Sequence, residues 1–239
     1  MAEPMMDTLQ FDHLSIPTKE HRAGEVRDLD PCGCIGGGKE NPYGIRWCRY
    51  DEGTLLPERI CSVPHVAFSV ARLENWLRIF PILVEPSMDA NGVRSAFVED
   101  NGIPIRLMES LDLANLGGSA TSRSSALRYN SCWIPASAPR GDGKEIHLPD
   151  LKMFVTPHFD SPFRAGWVRY QEDAPYPAIV SRVPHLAFEV DDISAATKGN
   201  RVIIPLNSPT RGLLVAFIEV DGAPIELLQI DRKVLPDGV

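Results

Sequence analysis

The sequence predicts an α+β chain in which one strand-rich unit occurs twice. Three observations predict it. The second half of the chain repeats the first at a fixed offset. The clearest local pattern is the apolar–polar alternation of half-buried strands. Each copy also carries one short run of apolar residues at helical spacing.

The repeat is read directly from the residues. Trp47-Cys48-Arg49-Tyr50 returns as Trp167-Val168-Arg169-Tyr170, 120 positions later. Val63-Pro64-His65-Val66-Ala67-Phe68 returns as Val183-Pro184-His185-Leu186-Ala187-Phe188 at the same offset, as does Ala96-Phe97-Val98-Glu99 in Ala216-Phe217-Ile218-Glu219. Gly102-Ile103-Pro104-Ile105 faces Gly222-Ala223-Pro224-Ile225. The copies are placed at 8–110 and 128–231. The linker, 111–127, includes the small, polar run Gly117-Gly118-Ser119-Ala120-Thr121-Ser122-Arg123-Ser124-Ser125.

The elements follow in order. Phe11–Pro17, a segment near 32–36 and Ile45–Tyr50 are predicted strands, with the helix between them shortened or lost. Val63–Val70 alternates and is β-rich, so it is a strand. Leu73, Trp76, Leu77 and Phe80 recur at helical spacing, and Asp191-Asp192 suits the N-cap of the matching helix in the second copy. Val202-Ile203-Ile204 is a strand. Ser95–Glu99 with Ile105–Met108, and Val215–Glu219 with Ile225–Leu228, pair across turns at Gly102 and Gly222. The unit is strand, helix, three strands.

Composition limits the partners. A net charge of -8 disfavours nucleic acid and anionic membranes. No apolar run approaches the roughly 18 residues of a membrane helix. The start, MAEPMMDTLQF, lacks the basic and apolar regions of a secretory signal. Five irregularly spaced cysteines suggest no disulfide framework, so a reducing, cytoplasmic setting is expected.

Three motifs carry a family resemblance: Asp12-His13-Leu14-Ser15-Ile16-Pro17, Pro184-His185-Leu186-Ala187-Phe188-Glu189-Val190-Asp191-Asp192, and the run from Val215 to Leu228. With the βαβββ order, they resemble the vicinal oxygen chelate superfamily, the glyoxalase, bleomycin-resistance and extradiol-dioxygenase group. The resemblance implies two tandem glyoxalase-like domains whose βαβββ modules form curved mixed sheets, or cups. Family members typically bind a divalent metal through the first, fourth, fifth and eighth strands.

Transferred position by position, copy one offers His13, Arg46, His65 and Arg106. Copy two offers Ser131 (or Trp133, across a two-residue gap), Gly166, His185 and Glu226. Neither set is complete. If the cups form by swapping halves between copies, His13, His185 and Glu226 make a 2-His-1-carboxylate site. It would hold one divalent ion, iron, manganese, zinc or nickel, with Arg46 at the fourth position. His65 and Arg106 would then mark a second, degenerate site. Strand alternation puts His185, Ala187 and Glu189 on one face.

The resemblance implies a metal-dependent isomerase, epimerase or lyase acting on a small oxygenated carbonyl compound through an enolate-like intermediate. Glu226 or Glu189 would move the proton, with Glu109 a weaker candidate. Arg46, Trp47 and Trp167 would bind a substrate, anionic if Arg46 grips it. Extradiol-type oxygen chemistry and non-catalytic binding of the bleomycin-resistance type are the rivals. One chain carries enough modules to form both cups, so a monomer suffices, with a homodimer also open. Cys32-Gly33-Cys34 is too tightly spaced for a zinc knuckle, and Gly36-Gly37-Gly38-Lys39 lacks the phosphate-loop spacing, so it is read as a loop at the cup mouth.

Overall fold

A computed structural model describes residues 9–22, 24–27, 34–36, 41–89, 92–111, 113, 126–139 and 144–235. The chain divides into two units, 1–122 and 123–239. Cys32, Gly33, Gly37–Lys39 and the Gly117–Ser125 linker lie outside the described residues.

Each unit contains one eight-stranded mixed sheet. In the first, β1 (Leu9–Pro17), β2 (Val26–Arg27), β3 (Cys34–Gly36), β4 (Ile45–Arg49), β5 (His65–Val70), β6 (Ile82–Met88), β7 (Arg94–Asp100) and β8 (Ile103–Glu109) take the order β2-β3-β4-β1-β5-β8-β7-β6. In the second, β9 (Arg128–Pro135), β10 (Ile146–Leu148), β11 (Met153–Val155), β12 (Ala165–Tyr170), β13 (His185–Glu189), β14 (Arg201–Thr210), β15 (Leu213–Val220) and β16 (Ala223–Ile230) take the same order. In both sheets two parallel pairs flank a central antiparallel pair: β1 with β4 and β5 with β8, then β9 with β12 and β13 with β16.

Each central pair joins strands of one copy. β1 pairs with β5, and β9 with β13. This corrects the swapped arrangement, because Ile45–Arg49 and His65–Val70 belong to one sheet. The physical reason is closure. With β4 on one side of β1 and β5 on the other, β1 has both edges paired, and no open edge is left to receive a strand from the other copy. Pairing within a copy also closes the shorter loop.

Four short helices are described: α1 (Glu58–Ser62), α2 (Leu73–Leu77), α3 (Ala178–Arg182) and α4 (Ile193–Thr197). α2 lies over β7 and β8, and α4 over β15 and β16. Alternation decides which strand residues lie under them. Val66, Phe68, Ile105 and Leu107 are wholly buried with Leu73 and Trp76 of α2, as are Leu186, Ile225 and Leu227 with Ile193 of α4. Asp192 caps α4, accepting from the Ser194 and Ala195 amides at 2.9 and 3.0 Å. α2 lacks a side-chain cap of its own. Its first amide, Leu73, donates instead to Glu109 at 3.2 Å, as Ile193 does to Gln229 at 3.0 Å. Glu109 also pairs with Arg94 at 3.3 Å. It serves the helix side of the sheet, which corrects its reading as a proton carrier in the cup.

The β7–β8 and β15–β16 hairpins turn at Asn101-Gly102 and Asp221-Gly222, with φ of 50° and 73°, then 51° and 75°. Two consecutive positive φ values define the primed turn whose twist matches the strands, and Asn-Gly and Asp-Gly are its preferred pairs. Among the described residues no helix separates β1 from β2, and none is long and apolar enough to cross a membrane.

Candidate functional site

The concave face of the second sheet presents two adjacent rows of side chains. Gly166 on β12, Trp133 on β9 and His185 on β13 form one row. Ser131 on β9, Ala187 on β13 and Glu226 on β16 form the next, with Phe217 of β15 beside Glu226. Ser131 stands opposite Ala187 as His13 stands opposite Ala67, so Ser131, two residues short of the simple offset, is the true counterpart of His13.

Above these rows lies a cavity of about 770 Å³. Its wall is largely aliphatic and aromatic, contributed by Met153, Val155, Val168, Tyr170, Tyr176, Ile204, Val215 and Phe217 among others. His185 and Glu226 stand on its floor, with Nε2 and Oε2 3.7 Å apart. His185 is buried, its ring 5.4 Å from that of Phe217, and its Nδ1 has no hydrogen-bond partner. Burial pushes its pKa down to about 3, so the imidazole is neutral. Glu226 keeps 19% of its side chain exposed. Burial holds its carboxyl up to about 7. Both shifts have one cause, the cost of charge in an apolar cup.

Tyr170 and Tyr176 stand near this pair with ring centroids 4.9 Å apart. Burial, then the Glu226 charge, raises both phenols above their usual range. They stay protonated. His158 is pressed between Trp133 and Phe159, at 4.3 and 3.9 Å between centroids, and burial followed by Arg164 lowers it to about 4. The Trp133 indole also closes over Gly166, where an added Cβ would come within 2.8 Å of it. A position that could carry a ligand is therefore filled by an aromatic ring. Sequence reasoning missed His158, Tyr170 and Tyr176 as cup residues. Tyr170 was findable, two and four residues along the strand from Val168 and Gly166 on the same face. His158 lies between strands, where no periodicity marks it.

The first sheet presents the same two rows with different chemistry. Arg46, Ser15 and His65 form one, and His13, Ala67 and Arg106 the other, with Phe97 beside Arg106. His13 thus stands with His65 and Arg106, while His185 and Glu226 belong to the second unit's sheet. The three-residue metal set is not assembled in one cup. Among the described residues no group of three His, Cys, Asp or Glu side chains is gathered that could hold a metal ion. In the second cup the imidazole that accompanies His185 and Glu226, that of His158, is pressed between two aromatic rings, and in the first two imidazoles lie beside two guanidinium groups; among the described residues neither set fits the three-donor cation site.

Three other assignments change. Trp167 alternates away from Val168 and Tyr170 and does not line the cavity; its amide donates to the Thr156 hydroxyl at 2.9 Å. Trp47, by the same alternation, lies opposite Arg46, buried under the Arg22 guanidinium at 3.4 Å. Glu189 is tied to Arg128 and Arg232 at the end of its strand, outside the cavity lining.

One eight-stranded mixed sheet in each unit, of the same strand order in both, matches the two tandem glyoxalase-like domains that the sequence predicts. No family model and no curated protein matches the chain. Among solved structures it is similar to methylmalonyl-CoA epimerase from Mycobacterium tuberculosis, at 17% identity over 71% of this chain and 88% of the other, with a TM-score of 0.19. It is also similar to a variant of 4-hydroxymandelate synthase from Streptomyces coelicolor, at 13% identity over 83% and 80% of the two chains, with a TM-score of 0.36. A fusion of a xylose isomerase-like TIM barrel with 4-hydroxyphenylpyruvate dioxygenase matches at 13% identity over 96% of this chain and 50% of the other, with a TM-score of 0.44. At these identities and TM-scores the neighbours decide nothing of the chemistry, which rests on this chain's own residues.

Proposed function

We propose that the second cup binds a small, largely apolar carbonyl compound and that Glu226 moves a proton on it, as an isomerase, epimerase or lyase requires. The observation that carries this reading is a single titratable carboxyl, held near neutrality, on the floor of an apolar cavity. A base is most effective when its pKa lies near the working pH, and burial provides that here. The ionised Glu226 carboxylate takes a proton from the carbon next to the carbonyl. The protonated carboxylic acid then returns it, to the same carbon or its neighbour. Neutral His185 offers one N–H to the developing oxyanion. Tyr170 and Tyr176 shape the polar end of the cavity, and the aliphatic wall excludes water.

The test uses an aromatic ketone, phenylacetone, in deuterated water, with nuclear magnetic resonance following both binding and exchange at the carbon beside the carbonyl. The wild-type chain is expected to bind it and to speed the exchange. Glu226→Gln is expected to bind within a few-fold and to lose about 10²–10⁴-fold in exchange. Equal exchange by wild type and variant would remove Glu226 from the chemistry. A second reading, non-catalytic sequestration of an apolar compound, is favoured by the aromatic filling over Gly166 and by the incomplete donor set. Tight binding with no exchange above the solvent rate selects it.

A further inference from the structure

We propose that the floor of the first cup is a binding site for a small oxyanion, a carboxylate or a phosphate, held between Arg46, Arg106 and the imidazole of His65, with His13 beside it. The site is separate from the second cup, and the inference is independent of what that cup binds.

Register brings the four side chains together. Arg46 and His65 flank Ser15 in one row, and His13 and Arg106 flank Ala67 in the next. His13, Ser15, His65 and Arg106 are all buried, Arg106 to 3% exposure. The Arg106 guanidinium donates to the Ser95 hydroxyl at 3.3 Å and lies 5.8 Å from the centre of the Phe97 ring. Two guanidinium groups and one carboxylate, Asp12, meet at this floor. Asp12 accepts from His13 Nδ1 at 2.7 Å and from Arg46 at 3.4 Å.

His65 is the second, independent observation. Its ring is fully buried, and among the described residues neither nitrogen has a hydrogen-bond partner. Buried polar groups are ordinarily satisfied, so an orphaned imidazole at a floor of donors points to something that completes it. Burial, reinforced by the neighbouring arginines and opposed at His13 by the Asp12 hydrogen bond, keeps both imidazoles neutral, so His65 brings one N–H rather than a charge, while the one N–H of His13 is given to Asp12. The charge comes from the arginines, whose planar forks match two oxygens of one anion. Arg46 and Asp12 keep 22% and 19% of their side chains exposed, so the cluster opens to solvent along that edge. At the corresponding positions the second cup has Gly166 and Glu226, which give an anion nothing to hold.

The test titrates the full-length chain with sodium phosphate and, separately, with sodium malonate, against sodium chloride of equal ionic strength. Histidine ring resonances report binding. At least one anion is expected to shift the His13 and His65 signals saturably. Phosphate alone doing so assigns a phosphate ligand, and malonate alone a carboxylate. Arg46→Gln, at a partly exposed position, is expected to keep its unfolding temperature and to weaken binding about tenfold. Arg106→Met is expected to abolish it. Arg201→Gln, which removes an exposed cation from the other unit, should leave the affinity unchanged. The proposal is overturned if neither anion gives a saturable shift, if Arg46→Gln binds as tightly as wild type, or if Arg201→Gln weakens binding equally.

Discussion

Glu226 and the buried histidines titrate in opposite senses, because burial disfavours the charged form of each. Burial raises the Glu226 carboxyl from 4.5 to about 7 in the folded chain. Between those values the folded state holds a proton that the unfolded state has released. The group's stabilising contribution is therefore complete below pH 4.5 and is lost as the pH rises through about 7. His185, lowered to about 3, and His13 and His158, each lowered to about 4, behave the other way. Their contribution is complete above 6.5 and fades as the unfolded chain takes up protons below it. Replacing Glu226 with Gln removes one titration and leaves those of the buried histidines, His65 among them. The variant's unfolding temperature, measured against wild type at each pH, is expected to gain steadily between pH 4.5 and 7 and to hold a constant advantage above that. A difference that ignores pH would mean that the carboxyl is not raised. At this scale the sequence was informative about facing and weak about company. Alternation put His185 and Glu226 on the concave side. It could not tell which copy would supply their neighbours, because that depends on the pairing of β1 with β5, some fifty residues apart in the chain.

Among the elements, the helices are the marginal ones. Each described helix has five residues, too few to be stable alone, so packing and caps hold them. α4 has the Asp192 cap, and α2 borrows Glu109 from β8. Asp192→Ala is expected to cost about 1 kcal/mol in urea unfolding, and Asp192→Asn much less, because the amide oxygen still accepts. Equal losses from both would show that the cap bonds contribute nothing. The same brevity explains what sequence reading left out. β1, β4, β5, β7, β8, β15, β16 and both glycine hairpins were legible, since alternation over five to nine residues and Asn-Gly or Asp-Gly pairs are strong local signals, whereas β2, β10 and β11, of two or three residues each, were too short to show a pattern. α1 and α3 were not. Each buries one residue, Ile60 or Val180, and one buried position has no period.

On the scale of the whole chain, all eight strands of the second sheet and every described residue lining its cavity come from 123–239. A fragment with those bounds is expected to fold, with the circular dichroism of a β-rich protein, and to bind phenylacetone within a few-fold of the full-length chain. Loss of binding by a folded fragment would mean that the first unit completes the cavity. The duplication itself was plain in the sequence, but its pairing scheme was not. A repeat shows that two units exist and says nothing of which half of each meets the other. That pairing has a consequence for change over generations. Because β1 finds β5 in its own copy, a substitution in one floor asks for no answering substitution in the other. Arg106 and Glu226 stand at the same register in their two sheets, one a permanent cation and the other a carboxyl that titrates near neutrality. A single gene can in this way carry two floors of different chemistry, one suited to holding an anion and one to moving a proton on an apolar compound.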